Sequence, residues 1–82
     1  MIAVMLADDH TLVREGLRRL LEPTGDIAVQ GEASNGTEAL RLLAERAWDL
    51  LVLDLSMPGH DGIDLIRLIR RDYPAVPILV LT

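Results

Sequence analysis

Apolar positions along this chain alternate between two rhythms. Ile2 to Ala7 (IAVMLA) is an unbroken apolar run that stops at Asp8 and Asp9, the pattern of a strand buried on both faces. Leu12, Val13, Gly16, Leu17, Leu20 and Leu21 then recur at helical spacing between Arg14, Glu15, Arg18 and Arg19, until Pro23 intervenes, which predicts an amphipathic helix. Ile27 to Ala33 (IAVQGEA) starts apolar and ends polar, as a short strand at a sheet edge does. Asn35 followed by Glu38 resembles a capping box, and Ala39, Leu40, Leu43, Ala44 and Ala47 form the stripe of a second helix. Leu50 to Leu53 is again uninterrupted and closes on Asp54, as a central strand would. Leu55 to Gly62 (LSMPGHDG) carries one Pro and two Gly and is a loop, from which Asp61 can cap a third helix. Ile63, Leu65, Ile66, Leu68 and Ile69 supply the apolar face of that helix, which stops at Tyr73-Pro74. Pro77 to Leu81 (PILVL) is a fourth apolar strand, followed by Thr82.

Strands and helices thus alternate, with connections too short for anything but βαβ crossovers. That predicts an α/β domain: a parallel sheet with helices on its faces, in one unit over residues 1–82. The chain has 82 residues, for which area scaling gives a folded surface of about 4,900 Å². Half of the residues are apolar, but with one Trp, one Tyr and no Phe the core must be Leu, Val, Ile and Ala. Cysteine is absent, which removes disulfides, thiolate metal sites and thiol nucleophiles. The net charge is −5 and all eight positive side chains are Arg, so the chain lacks both the basic footprint and the stacking aromatics of a nucleic-acid binder. The first apolar run is too short for a signal peptide or membrane span, and the expected location is the cytoplasm.

Ligands of open α/β sheets bind at the carboxyl ends of the strands. Here the first strand ends in Asp8-Asp9, the third in Asp54 and the fourth in Thr82. Carboxylates held that close either raise one another's pKa or hold a cation, and an all-oxygen set favours Mg²⁺, Mn²⁺ or Ca²⁺ over zinc, with Mg²⁺ the best match. Mg²⁺ beside an exposed Asp is a phosphoryl-transfer site in outline, in which the carboxylate is the nucleophile and a Thr hydroxyl can bond a phosphoryl oxygen.

The pattern Ala7-Asp8-Asp9-His10, Asp54 closing LLVLD, Ser56-Met57-Pro58-Gly59, Asp61-Gly62 and Ile78 to Thr82 closely resembles receiver domains of two-component response regulators. The DDH opening, the REGL-type first helix and the DLSMPG loop are similar to the NarL/LuxR-type branch. The resemblance implies a flavodoxin-like (CheY-like) parallel sheet of strand order 2-1-3-4-5. It also implies that Asp54 accepts a phosphoryl group from a sensor histidine kinase with Mg²⁺ as cofactor. Asp9 would bind Mg²⁺ directly, Asp8 mainly through water, and the backbone carbonyl of Ser56 would be a further ligand. Thr82 would be the switch hydroxyl, and Met57 and Pro58 would shape the loop.

The family's domain runs to about 120 residues, with a fifth strand bearing a site lysine and two more helices. This chain, which contains no lysine, supplies four strands and three helices, so it is expected to be the N-terminal portion of a receiver without a DNA-binding domain. The fourth strand would then be an open apolar edge, and the first helix would lie partly bare, which predicts self-association through that edge or by exchange of elements. Two functions follow: a phosphoacceptor module controlling a transcriptional output, or a fragment that no longer signals and mainly associates. An aspartyl phosphatase of the haloacid-dehalogenase kind is disfavoured, because the second Asp it needs is here Ser56. His10 and His60 have no i, i+4 partner and are read as polar loop or cap residues, and Trp48 as cover for the end of the second helix.

Overall fold

A computed structural model describes residues 1–59 and 61–81. Strand β1 (Ile2–Ala7) lies between β2 (Ile27–Ala33) and β3 (Leu50–Asp54), and β4 (Ile78–Leu81) flanks β3. The order is β2-β1-β3-β4 with every pairing parallel, as expected for four strands of a flavodoxin-like sheet. The crossovers are α1 (Thr11–Leu21), α2 (Gly36–Glu45) and α3 (Gly62–Asp72), and one 3₁₀ turn, Glu22–Thr24, follows α1. β4 starts one residue later than the apolar run suggests, because Pro77 has no N–H to give a ladder. Its carbonyl still accepts from the Leu51 N–H at 2.9 Å.

The two doubly paired strands carry the core. Ala3, Met5, Ala7, Leu51 and Leu53 face Ala39 and Leu43 of α2 and Leu65 and Ile69 of α3, with Trp48 at the margin. On the opposite face Val4, Leu6, Val29 and Val52 meet Leu17 and Leu21 of α1. Helices therefore cover both faces, but unequally. α1 buries no residue fully, and Leu12 and Leu20 are 81% and 74% exposed. Leu17 and Leu21 stack one turn apart on the sheet, and a position one residue off that line is turned away by about 100°. The helical stripe in the sequence is thus wider than the surface the sheet offers it. β4 is bare as well: Leu79 is 54% exposed, although the run that contains it is wholly apolar.

Helix starts follow their caps. Asn35 Oδ1 accepts from the Glu38 N–H at 2.8 Å, and the Glu38 carboxylate returns to Ser34, taking its N–H at 3.0 Å and its hydroxyl at 2.5 Å. The box is closed one residue earlier than the usual reciprocal pair. Asp61 Oδ1 accepts from the N–H groups of Ile63 (2.9 Å) and Asp64 (3.4 Å). In β2 the register slips between Val4↔Val29 and Met5↔Gly31, leaving Gln30 as the extra residue of a bulge. Past the bulge, Gly31 is roofed by Trp48, whose Nε1 donates to the Leu42 carbonyl at 2.8 Å and whose ring lies 5.2 Å from the Arg46 guanidinium carbon. A Cβ on Gly31 would stand 2.6 Å from Trp48 Cη2.

Candidate functional site

Adjacent parallel strands end side by side. β1 and β3 pair through Ala7↔Leu53, so Asp8, the residue after β1, lies next to Asp54, the last residue of β3. Asp9 follows in the loop. The carboxylates of Asp8, Asp9 and Asp54 and the His10 ring each offer a ligand atom within 4.8 Å of the others. Three of the predicted site residues are thus brought together, and Ser56 joins them through Asp54. Thr82, the predicted hydroxyl, and His60 lie outside the described residues.

Each carboxylate is held differently. Asp8 is 3% exposed, and its Oδ1 accepts from the His10 N–H at 2.8 Å and lies 3.0 Å from His10 Nδ1. Its N–H donates to the Ala33 carbonyl at 2.9 Å, and its own carbonyl accepts from the Arg14 guanidinium. Arg14 Nε also lies 3.2 Å from Glu32 Oε1, off the N–H axis, an ion pair without a hydrogen bond. Asp9 is exposed. Asp54 is 7% exposed, and its Oδ1 takes both the Ser56 N–H (2.9 Å) and the Ser56 hydroxyl (2.8 Å). Asp54 Oδ2 lies 3.8 Å from His10 Nδ1.

These partners set the protonation states. Burial pushes the Asp54 carboxyl up, but the Ser56 N–H, the Ser56 hydroxyl and the His10 ring outweigh it, and the group is held below its ordinary value. His10 is raised, chiefly by its hydrogen bond to Asp8 and by the Asp9 charge. At neutral pH Asp54 is therefore an ionised carboxylate, with Oδ1 committed to Ser56 and Oδ2 facing the His10 ring at 3.8 Å. Asp8, His10, Val13, Asp54, Ser56 and Leu81 line an open cavity of about 330 Å³ beside these carboxylates. The carboxylate donor set suits a hard divalent cation, which would relieve the mutual repulsion of the three charges.

Two residues escaped the sequence reading. His10 occupies the N-cap position of α1, as a cap residue would, but its side chain caps nothing and turns into the acidic cluster. The available signal was its place directly after a strand end that carries two aspartates. Arg14 looked like a solvent-facing helix residue, yet one turn into α1 it reaches back to the Asp8 carbonyl. Ser56 stands where a phosphatase would need its second Asp, and its hydroxyl is already spent on Asp54.

Residues 4–82 match the response regulator receiver domain family. The chain is 48% identical over 82 residues to the transcriptional regulatory protein LiaR of Bacillus subtilis (strain 168), covering all of this chain and 39% of that protein. It is 46% identical over 82 residues to the response regulator UvrY of Escherichia coli (strain K12), covering all of this chain and 38% of that protein. The chain thus spans less than two-fifths of these relatives. Its fold superposes on the crystal structure of the non-phosphorylated receiver domain of the stress response regulator RcsB from Escherichia coli with a TM-score of 0.94 and 40% identity, covering 99% of this chain and 64% of that one. Sequence match, strand order and the acidic cluster agree, and the chain belongs to the receiver-domain family of two-component response regulators, with relatives of the NarL/LuxR type.

Proposed function

We propose that Asp54 accepts a phosphoryl group from a phosphohistidine of a sensor kinase, and that residues 1–82 are the N-terminal portion of a cytoplasmic, transcription-controlling phosphoacceptor module. The observation that carries this reading is the convergence of Asp8, Asp9 and Asp54 at the carboxyl ends of two paired strands, within 4.8 Å. Asp8, Asp9 and Asp54 would hold Mg²⁺ together with the backbone carbonyl of Ser56. When bound, Mg²⁺ supplies charge neutralisation for the oxygens of the incoming phosphoryl group. Ser56 fixes Oδ1 of Asp54, which leaves Oδ2 as the attacking atom. Attack forms the new P–O bond as the P–N bond of the phosphoimidazole breaks and its electron pair returns to the ring nitrogen, so no oxidant or further reactant is needed. Thr82 follows Leu81, which pairs with Asp54, and its hydroxyl is assigned to a phosphoryl oxygen.

The test is intact mass after incubation with Mg²⁺ and a small acyl phosphate. A phosphoryl adduct that is lost on chelation, lost with hydroxylamine and absent in Asp54→Asn is expected. An adduct that persists in Asp54→Asn refutes the assignment. A second reading, self-association, is favoured by the exposed Leu79 and Val80 on β4, whose outer edge pairs with no strand among the described residues. A folded chain that sediments as a monomer at all concentrations refutes it.

A further inference from the structure

We propose that the cleft at the amino ends of β3 and β4 is a binding site for a small aromatic carboxylate, with the ligand's ring against Trp48 and Tyr73 and its carboxylate on Arg46. The chain has one Trp, one Tyr and no Phe, and both of its aromatic side chains line one cavity of about 250 Å³. The end of α2 and the segment leading to β3 supply Leu43, Arg46 and Trp48, and the segment from α3 to β4 supplies Tyr73, Pro74 and Val76. Asp54 closes β3 at the other end of that strand, so the cleft is separate from the acidic cluster.

Both walls are already set. Trp48 is buried, and its Nε1 donates to the Leu42 carbonyl at 2.8 Å. In the facing segment the Arg70 guanidinium gathers the carbonyls of Tyr73 (3.4 Å), Pro74 (3.4 Å) and Val76, and the Tyr73 N–H donates to the Ile69 carbonyl at 2.7 Å. A ligand therefore has little of the protein to order on entry, which favours affinity. The cleft also carries a charge without a partner. In a chain with 13 acidic and 8 basic side chains, Arg46 forms no ion pair among the described residues. The acids nearest to it in sequence are engaged elsewhere: Glu45 pairs with Arg41 at 3.2 Å, and Asp49 Oδ2 accepts from the Ala3 N–H at 2.7 Å. The exposed Arg46 guanidinium lies over the Trp48 ring, its carbon 5.2 Å from the centroid, which holds a cation beside the apolar wall. A drug-sized ligand takes about 300–1,000 Å³, so this cleft suits a smaller body of roughly ten non-hydrogen atoms. Aromatic walls select a ring, and a planar guanidinium selects a carboxylate, which it binds through two parallel hydrogen bonds.

The experiment is titration of the full chain with phenylacetate and, separately, with neutral phenylacetamide and with acetate, read by Trp48 emission and by backbone amide shifts in NMR. Phenylacetate is expected to bind with a Kd of about 0.1–1 mM, to shift the amides of Ala47, Trp48, Ala75 and Val76 most, and to bind about tenfold more tightly than the amide. Arg46→Gln changes an exposed side chain, and circular dichroism verifies its fold. It should weaken phenylacetate about tenfold and leave phenylacetamide unchanged. Arg19→Gln, which removes another exposed arginine, should alter neither. Acetate or phenylacetamide bound as tightly as phenylacetate, or phenylacetate bound equally by the native and Arg46→Gln chains, overturns the proposal. So do shifts that are absent from the cleft or confined to the acidic cluster, and cleft signals that move with protein concentration but not with ligand, which would place a second copy there. All of these outcomes leave the assignment of Asp54 standing.

Discussion

Replacing Gly31 by alanine adds one methyl group, and the expected result is a large loss of stability where the simplest rule predicts a gain. Gly31 has an ordinary negative φ, since Gly25 and Gly59 carry the positive values among the described residues. An alanine there is conformationally allowed and, through the unfolded chain alone, would stabilise by about 0.4–1 kcal/mol. The new Cβ, however, would meet Trp48 Cη2 at 2.6 Å and Cζ2 at 3.3 Å, with Leu42 Cδ1 at 3.4 Å. Trp48 cannot simply swing aside, because its Nε1 is held by the Leu42 carbonyl at 2.8 Å and the ring is buried. Overpacking costs about 1–3 kcal/mol, and a strained indole hydrogen bond adds about 1 kcal/mol. A net loss of about 1–3 kcal/mol remains after the entropic gain, which for a domain of this size lowers Tm by roughly 5–20 °C. Thermal unfolding followed by circular dichroism gives the Tm, and emission from Trp48, the chain's single tryptophan, reports whether the ring has moved. The decisive control is Trp48→Phe, which removes the atoms that clash. In that background Gly31→Ala should lose most of its cost, a coupling of about 1–2 kcal/mol. A Gly31→Ala chain with unchanged Tm and emission, or one equally destabilised with and without the indole, would refute the reasoning.

Other outcomes follow from the same structure. Glu38 is held below its ordinary value of 4.5, first by the Ser34 hydroxyl and then by the Ser34 N–H, so its contribution is present above that value and lost as pH falls through the lower folded one. Glu38→Gln should therefore be less stable at neutral pH and flatter in urea-melt stability as the solution is acidified; parallel pH profiles would contradict it. Asp61→Ala removes the cap that serves the Ile63 and Asp64 N–H groups and should cost about 0.5–2 kcal/mol in chemical denaturation, with Asn recovering most of it. Ser56→Ala deletes the hydroxyl bond to Asp54 and should raise the Asp54 pKa in a carboxyl-carbon NMR titration, leaving the Ser56 N–H bond in place. Leu79→Glu should weaken any self-association seen by sedimentation, because it puts charge on the bare β4 edge at little expense to the core.

The sheet could be read ahead of the structure because its strands are short, largely apolar runs, two of which, β1 and β3, close on aspartates. Ile2–Ala7 and Ile27–Ala33 fall where the sequence places them, and Leu50–Asp54 differs by one residue. The convergence of Asp8 and Asp54 was equally predictable, since strand ends follow from strand order. What could not be read was side-chain direction. The one-letter string places His10 directly after two aspartates but does not say that it leaves its helix uncapped to face them, that Arg14 turns back to the Asp8 carbonyl, or that Glu38 closes its box on Ser34. The width of the α1 stripe also misleads, because periodicity counts apolar positions and the sheet decides how many of them find cover.

The inequality between the two faces has a consequence for how the protein opens. Asp8 and Asp54 hang from β1 and β3, the strands with neighbours on both sides, whereas His10 and Arg14 belong to the start of α1, which buries no residue fully. Local opening begins where buried contacts are fewest, so amide protons of α1 and β4 should exchange with solvent long before those of β1 and β3. In those brief openings the two buried carboxylates should keep their backbone positions while His10 and Arg14 draw away, which would put the acids of the site on the slow-exchanging part of the molecule and their partners on the fast one.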